Sequence, residues 1–435
     1  MEENHSVAII GDNPEALLLS ILHAEAGIPN YLVGTFGEDG RVHANRPGIE
    51  EALWLLEIHA KSGKICLRPN CDDISSAVVR TWILSTHASS QSQVNSLEMA
   101  LRNLAPQLAE GSTVVFSGLC RPHYTSTVLK QALEQQGGLK VGDNISLYYL
   151  PLFWSGERLQ EFREKPKVLA RFDGILSSKF QETLLRVFPS LSLAPTLEVA
   201  EGSGLFSAIS REVAQALGLE FARMSEMYGI NRDEVLGLCK DTEVGLVGRS
   251  NPVPGRESIG TGIALSHFPS RDKPRLARAA HSINEDYQRR VVEMVKRALR
   301  HCGYPFRRSR VAILGTDGLL TNAWSRPESP PIIRSLQKRG AQVSLYPGDS
   351  GSQPWASMVG ESARVENNLL RAVSKANCAI IALPKTRVWE LDTDQLAAEM
   401  NRPGAICDLT GVLEASNVEK AGLFYTTIGR GSLDG

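Results

Sequence analysis

The sequence predicts an α/β protein with two doubly wound, mostly parallel sheets on either side of a helical middle. Three observations carry that expectation. A pattern of apolar strand, glycine turn and helix opens the chain at residue 7 and starts again at residue 310. Between them, the stretch 196–302 places its apolar residues at helical spacing and shows no strand signal. At 435 residues the chain also exceeds the roughly 250–300 residues at which one core stops growing, so more than one domain is required.

Taken in order, Val7, Ala8, Ile9 and Ile10 form a continuous apolar run, residues 11–14 are punctuation, and residues 16–26 are helical up to Gly27. Tyr31, Leu32 and Val33 make a second short strand. Apolar runs recur at 82–84 and 114–116 with helical patterns between them, the signature of a parallel sheet covered on both faces. Leu205, Ile209, Val213, Ala216, Leu217, Phe221, Met224 and Met227 then fall on a long central helix. Apolar residues on more than one side of it predict packing against other helices, within the chain or across a dimer axis. A Gly, Pro and Ser-rich stretch at 245–274 reads as a loop, and 283–299 as a further helix. The second α/β pattern runs through a strand at 311–314, a helix bearing Ile332, Ile333 and Leu336, and strands at 342–346, 378–383 and 405–407.

Composition narrows the function classes. With 47 Lys and Arg against 48 Asp and Glu, the global balance excludes a polybasic nucleic-acid or membrane-surface protein. Locally, residues 271–310 hold twelve Lys and Arg against four acids, read here as a solvated helix face or phosphate contacts at a domain junction rather than a nucleic-acid surface. Seven cysteines at irregular spacing, with no CxxC pair, fit reduced thiols better than a disulfide framework or a zinc site, so no metal is expected. The acidic start lacks the features of a signal peptide, and no apolar run approaches the ~18 residues of a membrane span, which predicts a cytoplasmic protein with no membrane partner.

Several words of the sequence, in order, resemble those of the UDP-glucose/GDP-mannose dehydrogenase family. RPGIEEAL at 46–53 is similar to its EPGLEELL, GLKVGDNISLYYLP at 138–151 to its GLKVGEDF word, and INEDYQRRVV at 283–292 to its IN-x-x-MP helix. ESPPIIRSLQKRGAQVSLYPG at 328–348 and FYTTIGRG at 424–431 resemble its C-terminal words. The resemblance covers nearly the whole chain. It implies an NAD-type Rossmann-like domain at 1–195, a helical dimerisation domain at 196–305, a nucleotide-sugar-type Rossmann-like domain at 306–435, and a homodimer. It also implies NAD-dependent oxidation of a sugar alcohol to a carboxylate, which needs a thiolate to hold the intermediate aldehyde.

The residues that carry this chemistry are missing at the matching positions. The family's GxGGHCIP loop corresponds to SIGTGIAL at 258–265, with Gly262 for the His, Ile263 for the Cys and Leu265 for the Pro. Its helical Lys and Asn correspond to Gly204 and Ala208, and no lysine occurs between Lys179 and Lys240. Its two carboxylates correspond to Ser117 and Leu152, and its FK word to Gly318 and Leu319. Cys239 is the only thiol in the same region and reads as a bland buried one.

For NAD, the three glycine positions of the dinucleotide turn are Gly11, Asn13 and Ala16, with Asp12 and Glu15 adding carboxylates where a pyrophosphate would sit. The acid expected after the second strand is replaced by Gly34. NAD therefore stands as a doubtful cofactor. A nucleotide sugar would find Gly315, Gly318, Arg326 and Arg334 around the second glycine turn. The sequence thus favours a catalytically diverged homologue, a non-catalytic or regulatory subunit of a homodimer or beside an active paralogue. The alternative is an active oxidoreductase or a non-redox enzyme using His123, Tyr124 and His267, with Ser266 beside it.

Overall fold

The computed structural model describes residues 6–34, 50–72, 74, 78–88, 91–154, 158–173, 178–239, 259–267, 273–315, 331–348, 356, 359, 363–383 and 391–430. The chain divides into two compact units: Met1–Ala44 with Gly48–Ser210 and Ile259–Pro274, and Asn45–Pro47 with Arg211–Ser258 and Arg275–Gly435.

The first unit begins with β1 (Val7–Ile10), α1 (Pro14–Glu25), β2 (Asn30–Val33), α2 (Glu50–Lys61), β3 (Ile65–Arg68), β4 (Thr81–Ser85), α3 (Gln91–Leu104) and β5 (Thr113–Ser117). A π-helical turn (Tyr124–Leu129) leads into α4 (Lys130–Gly137), followed by β6 (Ser146–Tyr149), α5 (Leu159–Glu164), β7 (Lys167–Arg171), α6 (Ser178–Val187) and β8 (Leu191–Leu193). The sheet order is β3-β2-β1-β4-β5-β6-β7-β8. The order reverses between β1 and β4, which places a switch-point crevice at the C-terminal ends of those strands. Trp82, Phe116 and Tyr149 are fully buried in the core that packs against this sheet. Helix α1 is buried from Pro14 through Ala24, the polar Glu15, Ser20 and His23 included.

Three helices follow: α7 (Leu197–Tyr228), α8 (Arg232–Leu238) and α9 (Ile259–His267). The first part of α7, up to Ser210, and α9 belong to the first unit; the rest of α7 and α8 belong to the second. The second unit continues with α10 (Arg275–His301), β9 (Arg310–Leu314), α11 (Pro331–Lys338), β10 (Gln342–Tyr346) and β11 (Arg364–Val365). It ends with α12 (Leu369–Val373), β12 (Cys378–Ile381), α13 (Thr393–Glu399), β13 (Gly404–Asp408), α14 (Ala415–Lys420) and β14 (Leu423–Thr427). Its order, β11-β10-β9-β12-β13-β14, is parallel throughout. Helix α10 buries Tyr287, Val291, Val295 and Leu299, spaced four residues apart, in that sheet's core. Each contributes roughly 1.5–3 kcal/mol of apolar burial.

The two doubly wound α/β sheets agree with the sequence. Two local readings change. The stretch 245–274, read as loop, contains helix α9. Its two glycines each lower helix propensity by about 1 kcal/mol, and the packing of Gly260 described below outweighs them. The first sheet is also extended beyond its parallel part, because β7 runs antiparallel to β6. Among the described residues no helix is long and apolar enough to cross a membrane.

Candidate functional site

The crevice of the first unit begins at the turn between β1 and α1. A Cβ at Gly11 would collide with the Ser85 carbonyl at the end of β4, so the turn passes that strand too closely for any side chain. Asn13 caps α1: its Oδ1 accepts the Ala16 N–H at 2.9 Å and the Ser85 hydroxyl at 2.9 Å. The helix N-terminus, where a dinucleotide's pyrophosphate would draw on free N–H groups, is thus capped by the chain's own side chain. The Asp12 carboxylate lies against Gly34 at the end of β2, where any Cβ would overlap its Oδ1.

Glu15, in the first turn of α1, is 2% exposed. Its Oε1 accepts the Trp154 N–H at 2.7 Å, and its Oε2 stands 3.6 Å from His87 Nε2. His87 Nδ1 accepts the Leu119 N–H at 3.0 Å, so the ring proton is on Nε2 and faces Glu15. The glycine turn is therefore tied to the ends of β4 and β5 and to the segment after β6. Sequence reasoning placed a charge at Glu15; it gave no sign that the carboxylate is buried, nor that His87 would meet it.

The positions matched to the family's catalytic groups also converge in this unit. Leu119, Leu205, Ala208 and Ile263 form one buried apolar cluster, with Phe153 and Ile209 packed against it. Leu152 and Ser117 are fully buried nearby in sequence, and the Ser117 hydroxyl has no partner. A Cβ at Gly204 would come 2.6 Å from Pro151 Cβ and 3.2 Å from Leu119 Cδ2. One at Gly260 would come 2.7 Å from Ala208 Cβ and 2.9 Å from the Ile209 nitrogen. Helix α9 therefore meets α7 through Gly260, and α7 meets Pro151 and Leu119 through Gly204, each at a separation that excludes longer side chains.

Two residues of the alternative catalytic set differ in exposure. His123 adopts a left-handed backbone, φ 66°, with a side chain 68% exposed and its Nδ1 3.5 Å from Glu198 Oε1. Tyr124 is buried against Phe116, and burial pushes its hydroxyl pKa up to about 12. His267 ends α9, and its side chain lies outside the described residues. A residue missed by the sequence reading holds this loop. The buried carboxylate of Glu201 accepts the His123 N–H at 2.6 Å and the Thr125 N–H at 2.7 Å. Desolvation raises its pKa, and burial raises that of neighbouring Cys120, which sits 3.6 Å away. Nothing in the spacing of Glu201 along α7 marks it out.

In the second unit, a Cβ at Gly315 would collide with the Ala382 carbonyl after β12, repeating the relation of Gly11 to β4. Gly318 and Arg326 lie outside the described residues, and Arg334 is exposed on α11. Arg430 lies over the Tyr425 ring at 5.7 Å, and the Gly429 N–H donates to Glu226 Oε1 at 3.1 Å, so the IGRG ending is held by packing and hydrogen bonding within the unit. Cys239 is half-buried after α8. Among the described residues, no group of His, Cys, Asp or Glu has a metal-holding arrangement.

No family model and no curated protein matches the sequence. Solved structures do. The chain superposes on a UDP-D-ManNAc dehydrogenase from Pyrococcus horikoshii with a TM-score of 0.73 at 20% identity, covering 98% of this chain and 99% of that one. A UDP-glucose dehydrogenase from Pyrobaculum islandicum gives 0.73 at 16% identity, covering 98% of each chain. A UDP-N-acetyl-mannosamine dehydrogenase from Staphylococcus aureus gives 0.67 at 17% identity, covering 97% and 98%. Along essentially its whole length, the chain has the fold of nucleotide-sugar dehydrogenases.

Proposed function

We propose that this chain is a diverged member of the UDP-glucose/GDP-mannose dehydrogenase family that does not perform the four-electron oxidation of a nucleotide sugar and serves as a non-catalytic or regulatory subunit. The observation that carries the reading is the apolar cluster. Three positions matched to the family's Lys, Asn and Cys are Gly204, Ala208 and Ile263, and the cluster packs around them where that chemistry needs an amine, an amide and a thiolate. The buried Ser117 and Leu152 supply no carboxylate.

NAD, which the resemblance implies, does not fit the first unit. Asn13 caps the helix end, Asp12 and Glu15 add carboxylates beside it, and Gly34 offers no group to a ribose. The second unit keeps its tight turn at Gly315, and with Gly318, Arg326 and Arg334 it is the proposed place for a nucleotide sugar. Association into a cytoplasmic homodimer, or with an active paralogue, is part of the same proposal. It is supported by Val199, Phe206, Leu217 and Met224, which are exposed on α7 in two pairs seven residues apart. The exposed His123, 3.5 Å from Glu198 Oε1, and the buried Tyr124 favour this reading over a new active site.

The test is NAD reduction across a panel of UDP- and GDP-sugars, run beside thermal-shift titrations of the same sugars and of NAD. The expected result is no turnover, no shift with NAD, and a shift with a nucleotide sugar. Formation of a uronate overturns the proposal.

A further inference from the structure

We propose that the N-terminal edge of the second sheet is a binding track for a single-stranded nucleic acid. Counted along the chain, the basic residues at 271–310 look like one solvated helix face. The fold instead gathers the last of them with cations from two other segments. Arg307, Arg308 and Arg310 lead into β9, Lys338 and Arg339 into the adjacent β10, and Lys375 into β12 on the other side; all six are exposed. Backbone hydrogen bonds fix them side by side. The Arg308 N–H donates to the Gly340 carbonyl at 2.7 Å, and the Asn377 N–H donates to the Arg310 carbonyl at 2.8 Å.

The bland explanation is that cations gather where helices end, since helix C-termini carry partial negative charge. Its magnitude falls short. Four helices end around them, α10, α11, α12 and α13, and each supplies about half a negative charge. Glu399, whose carbonyl receives the Lys375 N–H, supplies one more. Six cations against about three negative charges leave an excess of about three.

A second observation points the same way. Arg308 and Lys375 both have left-handed backbones, φ 72° and 57°. Glycine is the residue such positions favour, so two cations stand at a conformational cost that glycine would not carry. The partner is a single strand because of what lies further along the edge. His301, exposed at the end of α10, stacks on Phe424 at the start of β14, with ring centroids 4.0 Å apart and planes at 25°. From β10 to β14 the edge spans about 19 Å at the usual strand spacing. Cations followed by an exposed imidazole ring, His301 backed by the partly buried Phe424, suit a phosphate backbone with unstacked bases. This edge is opposite the strand ends where the Gly315 turn lies, so the inference stands independently of the proposed function.

The test is fluorescence anisotropy of the full-length chain with labelled RNA and DNA single strands of about 16 nucleotides, between about 50 and 200 mM salt. About three neutralised phosphates predict a log–log salt slope near −2, a loss of about 18-fold over that range. The R308G/K375G variant removes two charges at positions glycine prefers, so folding is retained. Its affinity falls and its slope drops to about −0.7, a loss of about 3-fold. H301A weakens binding by about fivefold or more with the slope unchanged. The relative strength of the RNA and DNA arms identifies the natural source. No binding at about 50 mM salt, an unchanged slope in R308G/K375G, or equal binding of duplex, inorganic polyphosphate or phosphatidylserine vesicles overturns the proposal.

Discussion

Replacing Gly260 by alanine tests whether the α7–α9 contact is as closed as the apolar cluster requires. The added Cβ would stand 2.7 Å from Ala208 Cβ, 2.9 Å from the Ile209 nitrogen and 3.0 Å from the Ala208 carbonyl carbon. Ordinary contact distances are about 3.5–4.0 Å, so the helices must separate by about 1 Å. Such overpacking costs about 1–3 kcal/mol, while alanine's helix propensity returns about 1 kcal/mol. The expected net effect is a destabilisation of up to about 2 kcal/mol. Gly262, two residues on in the same helix, provides the matched control, because a Cβ there meets nothing within 4 Å. Gly262→Ala should therefore stabilise by about 0.5–1 kcal/mol. Urea denaturation followed by circular dichroism reads both variants against the parent. Opposite signs are expected. If Gly260→Ala stabilises as much as Gly262→Ala, the two helices are not in contact and the reasoning fails. Ala208→Gly in the Gly260→Ala background should recover part of the loss and no more, since the Ile209 nitrogen stays in the way.

Three further outcomes follow from the buried polar groups. Glu201→Ala leaves the His123 and Thr125 amides without their acceptor and should cost about 2–5 kcal/mol, with Glu201→Gln losing less; the denaturation midpoints of the two variants check this. Glu15→Ala removes the acceptor of the Trp154 N–H and should destabilise by about 1–3 kcal/mol, and a thermal-shift titration should still detect no NAD, because Asn13 keeps its cap. Burial lowers the pKa of His23 from 6.5 to about 4, so the unfolded chain takes up this proton first as the pH falls. Stability from this group is complete above pH 6.5 and declines by about 3 kcal/mol towards pH 4; His23→Leu should remove that part of the pH dependence measured by chemical denaturation.

The parallel strands were legible because their apolar runs, such as Val7–Ile10 and Cys378–Ile381, are buried on both faces and need no knowledge of their neighbours. Helix α9 was not, since its two glycines read as loop until the surface of α7 is in place. The loss of catalytic side chains was visible residue by residue. Their replacement by a packed cluster was not, because Leu119, Gly204 and Ile263 are far apart in sequence. Glu15 shows the same limit: one glance at the sequence gives a surface charge at a helix start, while Trp154 and His87, which bury it, come from distant segments.

Gly11, Gly118 and Gly315 each occupy a position where a side chain would strike a carbonyl of a neighbouring strand's end: Ser85, Thr86 and Ala382. Those collisions are with the protein itself and persist whether or not a ligand is ever bound. A glycine turn of this kind is therefore kept by the sheet's geometry after the chemistry beside it has gone. A motif search that reads it as the mark of a cofactor measures a steric demand of the fold, and the residues between the glycines carry the information about the ligand.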